Sequence, residues 1–300
     1  MAIRNNEDRT GERRASAGEP PPIVAEQAET EAGANKTLDF TCPTEFVDLP
    51  SQGKYYADGH PLKGVDSIEI RFMTAKDEDI LTSKSLLKKG IAIDRFLQNI
   101  IVDKKVKIQD LLIGDKNALV VASRITGYGS DYQTKVTCPS CGTSQDYEFD
   151  LENSVINTGG VDGLAATLPD LAEGVSKTDD DTWLVECPKS RVLVELQLLN
   201  GHHEKFLTKS AAMKKKQKLP ESALTDQLRA TIISVNGSKE QKNVNKFIDV
   251  MPAMDSRFLR TIYDKLMPNV DLTQHFDCHS CGFEQEMEVP FTTDFFWPKR

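Results

Sequence analysis

The sequence predicts an α+β protein: a mainly helical body, short antiparallel strands, and a four-cysteine zinc ribbon built from two distant knuckles. Three observations carry that reading. Cys138-Pro139-Ser140-Cys141-Gly142 and Cys278-His279-Ser280-Cys281-Gly282 both read Cys-x-Ser-Cys-Gly, each between strand-like runs. Residues 91–102 and most of 202–267 carry apolar residues at helical spacing. Alternating, strand-like patterns come only in short pieces, bounded by Gly, Asn and Asp.

The elements follow in order. Residues 1–36 are rich in Glu, Arg, Ala, Gly and Pro, with Pro20-Pro21-Pro22 at the centre and few apolar positions. Such a segment cannot offset its ordering entropy by burial and reads as a disordered tail, with Ile23 and Val24 its one candidate for a partner contact. A strand-helix region spans 37–130. Strands are expected at 37–41 and at 67–72, where Ile68, Ile70 and Phe72 share a face, with an extended turn at 48–53 between them. Thr74 is expected to cap a helix with Asp77 and Glu78 in its first turn, ending at Gly90. A second helix, at 91–102, buries Ile93, Phe96, Leu97, Ile100 and Ile101. Asp115 is expected to cap a third, which Gly127 ends.

Residues 131–152 and 268–290 read as the two ribbon halves. The segment 153–181, rich in Gly, Asp, Thr and Ala, reads as a loop or linker. A strand pair and helical region follows over 182–267, with strands at 182–186 and 191–199. Residues 231–235 are open to either helix or strand, and Asp255 is expected to cap the last long helix. An aromatic tail, 291–300, closes the chain.

Composition bounds the function. The 300 residues suit one large domain or two small ones, and 39% hydrophobic content suffices for a core. The best apolar run, residues 118–122, is far short of a membrane span, and the start Met1-Ala2-Ile3-Arg4 has no signal-peptide stretch. Cytosolic synthesis is expected. The net charge of −9 disfavours a general nucleic-acid binder, and the Lys214-Lys-Lys-Gln-Lys218 run reads as a solvated helix face. With six cysteines and no signal, reduced thiols are expected rather than a disulfide scaffold.

Four of those cysteines, Cys138, Cys141, Cys278 and Cys281, have the type and spacing of a structural Zn2+ site. A Cys-x-x-Cys turn offers two thiolates on adjacent corners of a tetrahedron, and Gly142 and Gly282 stand where the turn favours positive φ. Unmetallated thiols or two redox pairs are the competing reading, though a thioredoxin-like pair would sit in a βαβ context absent here. A site closed by four cysteines leaves no open position for water or substrate, so catalysis at the ion is not expected. His275 and His279 flank the second knuckle as surface or neighbouring residues.

Other chemistry is thin, and no catalytic residues are assigned. His202-His203-Glu204 has no matching second cluster and reads as polar residues at a helix start. Asp179-Asp180-Asp181 reads as a solvated acidic loop, and neither Gly114-Asp115 nor Gly127-Tyr128-Gly129 fits a phosphate loop. Phe291, Phe295, Phe296 and Trp297 crowd the C-terminus. They either fold back over the body or anchor the chain in a partner's groove.

Several segments resemble a known family. These are Arg71-Phe-Met-Thr-Ala-Lys-Asp-Glu-Asp-Ile-Leu-Thr82, Leu86-Leu-Lys-Lys-Gly90, Asp110-Leu-Leu-Ile-Gly-Asp-Lys-Asn117, Arg124-Ile-Thr-Gly-Tyr-Gly129, Met251-Pro-Ala-Met-Asp-Ser-Arg-Phe-Leu-Arg260 and Phe295-Phe-Trp-Pro298. Together they resemble the baseplate hub and hub-assembly proteins of T-even-type contractile-tailed bacteriophages, over roughly residues 40–298. The resemblance implies a non-enzymatic late protein that works through contacts with other baseplate hub and tail proteins. It places the chain in the host cytoplasm during virion assembly, as an assembly chaperone, or in the tail baseplate itself. A zinc-ribbon nucleic-acid-binding module is the alternative, which the acidic charge disfavours.

Overall fold

The computed structural model describes residues 41–290 and 295–296. The tail at 1–36, all but the last residue of the strand expected at 37–41, and Phe291 and Trp297 lie outside the described residues. The first strand pair joins β1 (Thr44–Asp48) to β2 (Ser67–Arg71), antiparallel, with Val47 opposite Ile68. Ile68 and Ile70 are buried on one face of β2, as its alternation requires.

The helix opened by Thr74 is two helices. In α1 (Ala75–Thr82), Thr74 and Asp77 form a reciprocal capping box. The chain then turns extended at Ser83 and resumes as α2 (Lys84–Lys88), before Gly90 reverses it at φ 66°. Ser83 is a residue type that favours helix ends over helix interiors. Next, α3 (Ala92–Ile100) buries Ala92, Phe96, Leu97 and Ile100, while Ile93, expected on that stripe, is 41% exposed.

In α4 (Ile113–Tyr128) both boundaries differ from expectation. The helix starts before Asp115 and passes Gly127 to stop at Gly129, whose φ of 86° ends it. Gly127 instead makes room for a neighbour: a Cβ there would lie 2.3 Å from the Met73 Cε.

β3 (Asp131–Thr137) and β4 (Ser144–Asp150) form the first hairpin, followed by a 3-10 turn (Leu151–Asn153). The segment expected as a loop then carries β5 (Val155–Asn157), α5 (Gly160–Thr167), α6 (Pro169–Ala172) and β6 (Val175–Lys177). These elements are too short to show a period; β5 and α5 pack on the strand Asn269–Asp271 and the helix Ala253–Leu266, far along the chain, and β6 on the next strand. The strand pair expected after 182 is part of a larger sheet. β6, β7 (Trp183–Glu186) and β8 (Leu193–Leu196) run antiparallel to their neighbours.

Helices α7 (Gly201–Lys216) and α8 (Ala223–Thr231) follow, and β9 (Ile232–Val235) completes the sheet in the order β6-β7-β8-β9. The ambiguous run near 231–235 is therefore a strand. Its neighbour β8 buries Glu195, which accepts hydrogen bonds of 2.8 Å from the Thr182 and Ser234 hydroxyls. Helices α9 (Gln241–Val250) and α10 (Ala253–Leu266) come next. The residue before α10 is Pro252; Asp255, expected as its cap, is buried and accepts from the Lys189 and Ser190 amides at 2.8 and 2.9 Å. The chain ends its described course in β10 (Asn269–Asp271), β11 (Thr273–Asp277) and β12 (Glu284–Glu288). β10 pairs with β5, Asn269 opposite Asn157.

The apolar residues gather in two clusters. One joins β1, β2, α3 and α4 to both hairpins. The other packs the four-stranded sheet, through Trp183, Val185 and Val194, against Leu228, Ile248, Leu259 and Ile262. Tyr55 and Leu198 touch both. No helix of the described residues is long and apolar enough to cross a membrane.

Candidate metal centre

The two knuckles adopt the same backbone turn. In the first, the Cys138 amide donates to the Thr143 carbonyl and the Gly142 amide to the Cys138 carbonyl, both at 2.9 Å. In the second, Cys278 donates to Phe283 at 2.9 Å and Gly282 to Cys278 at 2.8 Å. Gly142 and Gly282 have φ of 73° and 66°, a conformation that costs an L side chain energy and glycine none. The turns close β3 to β4 and β11 to β12, so each cysteine pair sits at a hairpin tip.

The tips face each other. The Cys138 and Cys281 Sγ atoms are 3.8 Å apart and those of Cys141 and Cys278 are 3.7 Å apart. All four sulfurs lie within 4.8 Å of one another. A tetrahedral ion with metal–sulfur bonds of about 2.3 Å places its ligand sulfurs about 3.8 Å apart. A disulfide needs about 2.05 Å. The spacing therefore fits a metal held by four sulfurs and excludes a disulfide. Cys138 and Cys278 are buried while Cys141 and Cys281 are exposed, so the centre has one dry side and one at the surface.

The two exposed thiols, Cys141 and Cys281, differ in proton affinity. Thr143, whose hydroxyl oxygen lies 3.3 Å from the Cys141 sulfur, draws that thiol down to about 6. At Cys281 the Phe283 amide lowers the pKa, but desolvation and the three neighbouring sulfurs outweigh it and push the thiol up to about 12. Cys141 gives up its proton readily while Cys281 holds its own, and a cation bound there would displace it.

A polar seam holds the hairpins together besides the sulfurs. Tyr147 on β4 donates to the Asp277 carboxylate at 2.9 Å, and the Gln145 side chain donates to the Asp277 carbonyl at 2.9 Å. Gln274 on β11 donates to the Asp150 carbonyl at 2.7 Å and accepts from the Asp150 amide at 3.2 Å. The Tyr147 ring lies against Phe149, Phe276 and His279. His279 and His275 are exposed and outside the sulfur cluster.

The remaining candidates do not converge. His202 meets Asp110 at 2.9 Å, His203 Nδ1 accepts from the Asn200 amide at 3.2 Å, and Glu204 pairs with Lys116 at 2.6 Å. Burial, and then His202, lower the His203 pKa. Asp181 is paired with Lys63 and Lys177 at 3.1 and 2.6 Å. Of the two readings of the C-terminal aromatics, Phe295 and Phe296 take the one that folds back over the body: they are 3% and 4% exposed and fill the core. Phe296 packs edge-on against Phe96 and Phe295 against Tyr132, with centroids 5.5 and 5.2 Å apart.

Sequence reasoning missed Arg124. It is fully buried, and its Nε donates to the Phe295 carbonyl at 2.6 Å and its Nη2 to the Asp131 carbonyl at 2.9 Å. A third bond goes to the Gly129 carbonyl. The guanidinium also lies over the rings of Tyr128, Tyr132 and Phe295. Its three carbonyl partners are backbone groups, which leave no trace in side-chain identity.

Four sulfurs gathered between two hairpin tips form a cluster that could hold a metal ion. Residues 42–159 match the family model described as T4 bacteriophage base plate protein. The match takes in β1 to β5 and the first knuckle, and stops well before the second. Comparison with curated proteins gave no match. Comparison with solved structures gave none.

Proposed function

We propose that this chain is a protein of the central hub of a contractile phage tail baseplate, either built into it or acting as a factor that assembles it. The observation that carries the reading is the base plate family match over residues 42–159, which includes half of the cysteine cluster. The segments that resemble hub proteins beyond residue 159, 251–260 and 295–298, support the same reading. So does the divergence of His202, His203 and Glu204 to separate partners, which leaves them no shared reacting centre. The partners are other baseplate hub and tail proteins, met in the host cytoplasm.

In this reading Cys138, Cys141, Cys278 and Cys281 hold a structural Zn2+ ion, which cross-links two hairpins far apart in the chain. The tetrahedral sulfur spacing and the all-thiol donor set suit zinc. The residues around it set the faces that partners meet: β4 and β11 are fixed to each other by Tyr147, Gln145 and Gln274.

Deleting the gene tests the function. Infected cells should accumulate tails or baseplates stalled at the hub step; normal numbers of infectious tails would contradict it. Mass spectrometry of purified virions then separates the two roles, because a structural component stays in the particle and an assembly factor leaves.

A further inference from the structure

We infer that α7 is a docking helix whose occupant is the acidic β11–β12 hairpin of a second copy of this chain. Helix α7 has 16 residues and buries only Gly201. A helix of that length is marginal in water without a packed face. Its inner side, through His203, Leu207, Ser210 and Lys214, is half-buried. At 100° per residue, Lys205, Lys209 and Lys216 share the opposite side, with Phe206 and Met213 beside them. All five are exposed, Phe206 at 68% and Met213 at 53%. None of Lys205, Lys209 and Lys216 makes an ion pair among the described residues, whereas Lys214 is paired with Asp226.

The complementary surface is on the same molecule. No Lys or Arg occurs between Pro268 and Pro290, while Asp271, Asp277, Glu284, Glu286 and Glu288 do. On β12, Glu284, Glu286 and Glu288 alternate outward and are exposed. The dimensions agree: Lys205 to Lys216 spans about 16 Å at 1.5 Å per residue, and Glu284 to Glu288 about 14 Å at 3.4 Å per residue. No ion pair among the described residues joins these two stretches; on the glutamate face Glu286 lies 3.6 Å from His275 of the same hairpin, and both side chains are exposed.

Such a contact uses different surfaces on the two copies. It is heterologous, and repeated it builds a ring or an open chain rather than a two-fold dimer. A helix laid on one hairpin falls at the small end of specific interfaces, so the association is weak and salt-sensitive. Anionic membranes and nucleic acids are the other surfaces a lysine-rich helix meets. Phe206 and Met213 in the stripe argue against nucleic acid, and the net charge of −9 on the whole chain argues against any strongly anionic surface.

Sedimentation of the full-length protein over a concentration series tests this. At low salt the mass should rise with concentration, and the rise should disappear in high salt. The variant Lys205→Glu/Lys209→Glu/Lys216→Glu should sediment as a monomer. So should Glu284→Lys/Glu286→Lys/Glu288→Lys, with circular dichroism unchanged in both. Mixing the two variants pairs each altered face with its new complement and should restore association. A wild-type protein that stays monomeric at low salt and high concentration overturns the inference. So does association that either triple variant leaves intact. Binding of the lysine face to anionic vesicles or duplex DNA, without any concentration-dependent mass, also overturns it and assigns the helix to that surface.

Discussion

Asp77 and Asp115 are both fully buried, and their surroundings drive their carboxyl groups in opposite directions. Burial alone would raise Asp77. A two-pronged ion pair with Arg71 at 2.7 and 2.9 Å, with bonds from Thr74 and Asn99, outweighs it and holds the group at about 2. Asp115 has only Ser51 and the Tyr56 hydroxyl as donors, so burial wins and its pKa rises. The signs follow by linkage. Asp77 contributes stability that is present above its ordinary value of 3.8 and lost as pH falls through about 2. Asp115 favours its protonated form, so its contribution falls as pH rises above the ordinary carboxylate range. Asp77→Asn should cost roughly 1.5–3 kcal/mol at neutral pH, the worth of hydrogen bonds to a charged group. It should also flatten the acid limb of the stability curve, measured by urea unfolding from pH 2 to 7. Asp115→Asn should instead remove a loss of stability on leaving acid pH. Arg124→Ala should cost more than about 2 kcal/mol, because it strands three carbonyls that lose their donor.

The elements show where sequence pattern suffices and where it fails. β2, β3, β4 and the buried stripe of α3 follow from alternation or helical period, because each presents one face to a core. β1 is not announced by the sequence, because its outward Phe46 is 71% exposed and blurs the alternation. The start of α4 was misread for a tertiary reason: Asp115 looks like a cap, yet its carboxylate is taken by Ser51, 64 residues earlier. The 153–181 segment folds because β5 finds β10, far along the chain, and β6 pairs with β7 in a short hairpin; neither β5 nor β6 is long enough to show a period. Close approach matters as well. A Cβ on Gly114 would lie 1.7 Å from the Pro268 carbonyl oxygen, so Gly114→Ala should force α4 away from the start of β10. A drop in melting temperature larger than an ordinary surface change, despite alanine's better helix propensity, is the expected result. At the C-terminus, Phe296→Ala should cost about 3–5 kcal/mol as a core truncation. An exposed anchor would cost almost nothing in a thermal melt.

At the scale of the whole molecule, the second ribbon half is tied to the first, and to the segment just after it, in three ways: by the four clustered sulfurs, by the polar seam of Tyr147, Gln145 and Gln274, and by the pairing of β10 with β5. The cysteine pairing was legible because the knuckle repeats within one sequence and the chemistry of four thiols has few outcomes. The seam and the strand pair were not, since they rest on backbone groups and polar residues of no fixed spacing. Zinc binding is worth roughly 10–16 kcal/mol in small peptides, comparable to a domain's net stability of about 5–15 kcal/mol. Metal loss should therefore lower the melting point sharply, while the other two ties keep part of the fold. On the proposed function these four cysteines hold one zinc ion between the hairpins. Elemental analysis of the purified protein, with Cys141→Ser beside it, tests that most directly. The wild type should carry one zinc per chain, and the variant should lose zinc and melt at a lower temperature. A metal-free wild type whose melting curve is unmoved by Cys141→Ser would contradict the zinc assignment.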